Sequence, residues 1–251
     1  MKRLQDKNIL ITGASSGIGK ECAFYCYEEC AKVHLIGRNE SSLNDIYSQL
    51  NDNNNSISVL DLRDFQRYQS IIESIVTNHE KIDGFIHSAG YQTTLPISAM
   101  NYQMYIDIFE VNTISAFEII RLLCKKNYGN LSGMSIVLIA SVMSIIANPA
   151  LTAYCASKAA LVSGARSLAL ELANKNIRVN CVSPGYLKDT KMMTELSDVL
   201  NYKEMDNLKK GYPLGLGSNK DISALCIFLL SDESKWITGQ NIIIDGGYSV
   251  K

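Results

Sequence analysis

The chain is poor in several features that would mark it for a particular class of function. Positive charge is not in surplus: 24 Lys and Arg face 25 Asp and Glu, a formal net charge of −1. Nucleic-acid binding relies on cations set against phosphates, so the composition gives it no electrostatic case. Long apolar runs are missing too. No stretch approaches a membrane-spanning helix, and Met1-Lys2-Arg3-Leu4-Gln5 lacks the apolar core of a signal peptide. A soluble, cytoplasmic protein with no membrane partner is expected. The seven cysteines include no zinc-type Cys-x-x-Cys pair. Cys22, Cys26 and Cys30 lie four apart on one predicted helical face, where small core residues are the expected reading over a redox or metal role. Their odd total in a cytosolic setting argues for reduced thiols. His34 and His79 are not spaced as partner ligands of His87, and no metal site is expected. Linker-like stretches and tandem repeats are absent as well, so residues 1–251 are read as one domain.

What is present is an alternation of strand-like and helix-like runs, with 47% hydrophobic residues to build a core. That pattern predicts an α/β fold: one doubly wound parallel sheet of about seven strands with helices on both faces. A β-type run at Asn8–Thr12 is followed by Gly13-Ala14-Ser15-Ser16-Gly17-Ile18-Gly19 and a helix over about 20–29. Strand, glycine-rich turn and helix form a phosphate-binding arrangement. The glycines allow a sharp turn and close approach, and the helix N-terminus offers free N–H groups and a partial positive charge.

The second constellation is Ser141 with Tyr154-Cys155-Ala156-Ser157-Lys158. Residues 151–173 read as one helix, rich in Ala, Leu and Ser and free of Pro. Four residues apart, Tyr154 and Lys158 share a face. An ammonium beside a phenol favours the phenolate, so the Tyr154 pKa is expected to fall toward working pH. Tyr154 then suits proton exchange with a substrate oxygen. Ser141 follows the apolar run 136–140, a predicted buried strand, and open α/β sheets bind ligands just past such strand ends.

Taken together, Thr12-Gly13-x-x-x-Gly17-x-Gly19, Ser141, Tyr154-x-x-x-Lys158 and Pro184-Gly185 resemble the short-chain dehydrogenase/reductase family, in its order and spacing. The likeness runs on to Ile237-Thr238-Gly239-Gln240 and Asp245-Gly246-Gly247, and is nearest to 3-oxoacyl-carrier-protein reductase-like members. It implies a Rossmann-type fold and a nicotinamide cofactor held along the glycine turn (Gly13, Ser15, Ser16, Gly17, Ile18, Gly19). Asp61 and Leu62 would bracket the adenine, and Ala89 and Gly90 would pass close to a ribose. Pro184, Gly185, Leu187 and Thr190 would meet the nicotinamide end and pyrophosphate. Tyr154 is implied as the proton-transfer residue. Lys158 would lower its pKa and hold the nicotinamide ribose, Ser141 would bind the substrate oxygen, and Asn112 would hold a water beside the lysine at a helix kink. Asn112 inside the predicted helix 98–125 is also a local misfit, which itself suggests function.

At the tip of the second predicted strand, 32–36, an acidic residue would bind the 2′-OH of NAD. This chain has Arg38 there and no carboxylate before Glu40, so NADP(H) is favoured over NAD(H). Asp64 is expected to cap the helix that runs through 76. The family usually carries Asn-Asn-Ala-Gly where this chain has His87-Ser88-Ala89-Gly90, and His87 is the expected substitute donor to the neighbouring strand. Tyr91, Met143, Ile145 and Tyr186 are expected to meet a small carbonyl or alcohol substrate beneath a lid at about 189–213. No basic cluster calls for a carrier protein. Rival readings are a sugar or polyol dehydrogenase and a silent nucleotide sensor. A homotetramer is expected, because the helices around Asn112 and after Tyr154 carry apolar residues (Ile114, Phe117, Ile120, Leu123; Leu161, Ala165, Leu168, Leu172) and the strand 242–244 is apolar on both faces.

Overall fold

A computed structural model describes residues 2–51, 53–190, 193–194 and 202–250. Seven parallel strands form one sheet in the order β3-β2-β1-β4-β5-β6-β7. They are β1 Asn8–Thr12, β2 Lys32–Gly37, β3 Ser56–Val59, β4 Gly84–His87, β5 Ser135–Ile139, β6 Arg178–Pro184 and β7 Asn241–Ile244. The helices are α1 Gly17–Glu28, α2 Glu40–Leu50, α3 Tyr68–His79, α4 Tyr102–Phe109, α5 Ser115–Leu123, α6 Thr152–Leu172, α7 Tyr202–Lys210 and α8 Asn219–Leu230.

The central strands are apolar at nearly every position because both faces are covered. Side chains alternate across the sheet. Leu10, Phe85, Ile136, Leu138, Val179 and Cys181 join one core layer with residues of α3, α5 and α6. Ile9, Ile11, Ile86, Val137, Ile139 and Val182 join the other with α1, α2 and α8. Each fully buried Leu or Ile contributes roughly 1.5–3 kcal/mol. The chain moves outward from β1 through β2 to β3, then crosses to β4 on the other side. This reversal leaves a crevice past the carboxyl ends of β1 and β4, where open α/β sheets place ligands.

Several local expectations are corrected. The predicted helix 98–125 is three pieces: α4, a π-helical turn at Glu110–Ile114, and α5. Asp64 makes no side-chain capping bond; it precedes a 3₁₀ turn at Phe65–Arg67, and α3 starts only at Tyr68. Cys30 lies beyond the end of α1 and is exposed, while Cys22 and Cys26 are buried. The apolar residues assigned to an oligomer face are largely used within the chain. Ile120, Leu123, Leu161, Ala165 and Leu172 are all buried, because α5 and α6 need them against the sheet. Of the expected lid, residues 191–192 and 195–201 lie outside the described residues. Among the described residues no helix is long and apolar enough to cross a membrane, and no cluster of His, Cys, Asp and Glu could hold a metal.

Candidate active site

A cleft of about 320 Å³ opens at the strand ends. Its floor begins with the turn between β1 and α1. Gly13 has φ +68, and a Cβ there would lie 2.6 Å from the backbone N of Ala89. Only glycine lets these two backbones meet. Ser15, Ser16, Gly17 and Ile18 line the cleft. Ser16 makes no side-chain cap and the first turn of α1 carries no acid. Its N–H groups and dipole therefore face the cleft uncompensated, which suits a phosphate. Gly19 lies behind this wall, packed on the Gly13 carbonyl.

The next section holds Arg38, Asp61 and Leu62. Leu62 is buried, and its carbonyl accepts a hydrogen bond from the Tyr68 hydroxyl. The Asp61 carboxylate is gripped by Arg63, whose Nη2 and Nε donate at 2.7 and 3.0 Å and whose backbone N–H donates at 2.9 Å. Those bonds hold the Asp61 pKa down to about 2. Sequence reasoning missed Arg63; two residues from a site aspartate, it was legible only as a surface charge. Arg38 is exposed at the cleft edge, where it adds a second positive charge near Asp61.

At the inner end, Ser141, Tyr154 and Lys158 meet as expected in one place. Ser141 caps a 3₁₀ turn, its hydroxyl accepting from Met143 N–H at 3.2 Å. Lys158 is buried, donates from Nζ to the Ile139 carbonyl at 2.8 Å, and sits 6.0 Å from the Tyr154 ring centre. The expected fall in the Tyr154 pKa does not hold here. Burial pushes the phenol up to about 12, against a lowering hydrogen bond from Ser141. Burial likewise pulls Lys158 down to about 8. Desolvation is the leading cause of both shifts because both groups are enclosed.

Asn112 does not line the cleft; it organises it from behind. Within the π-helical turn, Oδ1 accepts from Tyr91 N–H at 3.0 Å. Nδ2 donates to the Tyr91 carbonyl and to Ser157 Oγ, each at 3.0 Å. Ser157 in turn donates to the Tyr154 carbonyl at 2.8 Å. The asparagine side chain thus ties the loop after β4 to the helix carrying Tyr154 and Lys158. A Cβ on Gly90 would lie 3.1 Å from Lys158 Nζ and 3.2 Å from Asn112 Oδ1, so this crossing is tight. Ser157 was not singled out from the sequence, since a helix serine carries no distinguishing signal.

Ala89, Pro184, Gly185, Leu187 and Thr190 complete the wall. The Thr190 hydroxyl is engaged locally, donating to the Leu187 carbonyl at 3.1 Å. Tyr91, Met143 and Tyr186 line the open end; Ile145 is half exposed and off the wall. Tyr212, another residue the sequence did not flag, accepts from Tyr186 N–H at 3.1 Å and stacks on Tyr248 at 4.6 Å. A nicotinamide dinucleotide fits this donor set. The glycine turn and bare helix N-terminus suit its pyrophosphate, Arg38 and Asp61 its adenosine, and Lys158 its second ribose.

The sequence model of a family described as Enoyl-(Acyl carrier protein) reductase matches residues 13–249. A 3-oxoacyl-[acyl-carrier-protein] reductase FabG of Thermotoga maritima is 32% identical over 248 residues, covering 98% of each chain. An NAD-dependent glycerol dehydrogenase of Listeria innocua is 33% identical over 250 residues, covering 99% of this chain and 96% of the other. The crystal structure of gox2181 superposes with a TM-score of 0.89 at 25% identity, covering 99% of this chain and 98% of that one.

Proposed function

The chain belongs to the short-chain dehydrogenase/reductase family and is an NAD(P)-dependent oxidoreductase of carbonyl and CH–OH groups; from that premise we propose that it is an NADP(H)-preferring reductase of a small, uncharged 3-oxoacyl-like carbonyl, acting through Tyr154. The observation that carries this reading is the convergence of Ser141, Tyr154 and Lys158 at the inner end of a cleft whose other end is a phosphate cradle. The bound cofactor supplies the hydride chemistry. Ser141 and Tyr154 hydrogen-bond the substrate oxygen, and Tyr154 delivers the proton as charge develops there. A phenol pushed up to about 12 holds its proton at neutral pH, which suits the carbonyl-reducing direction. Lys158 holds the ribose and returns a proton to the tyrosine, and the Asn112 backbone carbonyl serves a water beside it. Tyr91, Met143 and Tyr186 contact the substrate.

Arg38 supports the preference for a 2′-phosphate. The second reading, oxidation of a polyol, is favoured by the Listeria relative alone. Along the described cleft wall, Arg38 and Lys158 are the cations, and in this reading the cofactor takes up both. That supports a neutral substrate. We place the enzyme in the cytoplasm as a homotetramer. Support for the assembly comes from the edge strand β7, with Ile243 41% exposed, and from Trp236 and Leu170, 97% and 82% exposed.

The test is steady-state kinetics with NADPH and NADH on a 3-oxoacyl thioester and on glycerol. NADPH-linked thioester reduction is expected, and Arg38→Asp is expected to weaken NADPH far more than NADH. Equal use of both cofactors by the parent enzyme would refute the cofactor reading. Glycerol oxidation without thioester reduction would replace the substrate class with the polyol one.

A further inference from the structure

His87 stands where the resembling family carries asparagine, and the chemistry above leaves it unused. It ends β4 in register with Thr12 of β1. Strand alternation puts it on the same face as Phe85, whose ring lies 6.1 Å away. That face is the one covered by α5 and α6, and α5 follows the π-helical turn directly. The ring is fully buried. Nδ1 lies 2.9 Å from the Thr12 hydroxyl. Nε2 is enclosed and has no hydrogen-bond partner among the described residues. The groups acting on the ring are the Val111 carbonyl, which favours its protonation, and Lys158, which opposes it; burial opposes it most, holding the ring near 3 and therefore neutral at working pH. A neutral imidazole has one N–H. Placed on Nε2, that N–H is free to serve the nearby Val111 carbonyl while Nδ1 accepts from Thr12. Placed on Nδ1, it would leave the enclosed Nε2 as a bare lone pair with no donor to meet it. The first tautomer is the consistent one.

Val111 lines the cleft and immediately precedes Asn112. Its carbonyl already accepts from Ser115 Oγ at 2.7 Å. We propose that His87 is a positioning residue: its Nε2–H, set by Thr12, supports the Val111 carbonyl from beneath and so fixes the π-turn that seats Asn112, Tyr91 and Ser157 around Lys158. The proposal rests on the reading of Tyr154 and Lys158 as the proton-transfer pair.

Two measurements test it. Nitrogen NMR of the histidine rings in the wild-type protein is expected to show His87 protonated at Nε2 only, from pH 5 to pH 9. In kinetics, His87→Leu is expected to lower kcat roughly ten- to hundredfold, the scale of a small displacement of catalytic groups. Cofactor Kd is expected to stay near the wild-type value, and His87→Asn, which restores a donor, to recover most of kcat. Protonation at Nδ1, wild-type kcat in His87→Leu, or equal loss in the Leu and Asn variants would each overturn the proposal. The NMR arm needs no variant, so it decides even where His87→Leu does not fold. Tyr154→Phe measured alongside separates the two ideas. If it is inactive while His87→Leu is normal, only this inference fails; if it is active, the proton-transfer reading fails as well.

Discussion

At the scale of single residues, which side chains meet at the inner end of the cleft was legible in the sequence and their energetics were not. Ser141, Tyr154 and Lys158 come together as their spacing implies, since i and i+4 share a helix face and Ser141 follows a buried strand. The direction of the tyrosine's shift was misread. Spacing shows the ammonium but not the burial of both groups, and burial dominates. This has a kinetic consequence. Alcohol oxidation needs Tyr154 as a base, and a phenol near 12 supplies about tenfold more base per pH unit until its pKa is reached. Oxidation kcat/KM is therefore expected to climb from pH 7 to pH 9, while carbonyl reduction does not gain. A pH profile of oxidation that falls over this range would contradict the assignment. Arg63 and Ser157 were invisible for a related reason: each acts through a partner, Asp61 and Asn112, that only the fold brings to it.

At the scale of elements, strands and the glycine turn were read nearly to the residue, because both-sided burial gives unbroken apolar runs and the turn has its own chemistry. The region around Asn112 was read as one long helix with a kink inferred from the family resemblance. The structure gives the kink a form, a π-helical turn, and π-turns recur at functional sites. Periodicity reads a helix's face but is blind to one inserted residue. The glycine turn offers a clean test. Gly13→Ala forces a non-glycine residue to φ +68 and drives a Cβ to 2.6 Å from Ala89 N. Positive-φ strain alone costs roughly 1–3 kcal/mol. A lower melting temperature and weakened cofactor binding by fluorescence titration are expected. Gly133→Ala, whose Cβ would meet nothing within 4 Å, is the matched control and should change neither. Similar behaviour of the two variants would remove the argument for close approach at Gly13.

At the scale of the whole molecule, the fold class followed from the alternation of strand and helix, but the surface did not. Most of the helix residues invoked for an oligomer face are buried or half-buried, while Ile114 and, on the invoked strand, Ile243 are exposed; the most exposed apolar groups, Trp236 and Leu170, sit elsewhere. An apolar position in a sequence does not reveal whether its own chain covers it. An edge strand with exposed isoleucine invites pairing, so light scattering at micromolar concentration is expected to give about four times the 27.8 kDa of one chain. A mass near one chain would contradict the tetramer. The central claim is that this single cleft joins a bound nicotinamide cofactor to proton transfer by Tyr154. Its most direct test is Tyr154→Phe, measured for both turnover and cofactor affinity. The account predicts a loss of kcat of about 10²–10⁴ with cofactor Kd essentially unchanged; near-wild-type turnover in this variant would contradict it.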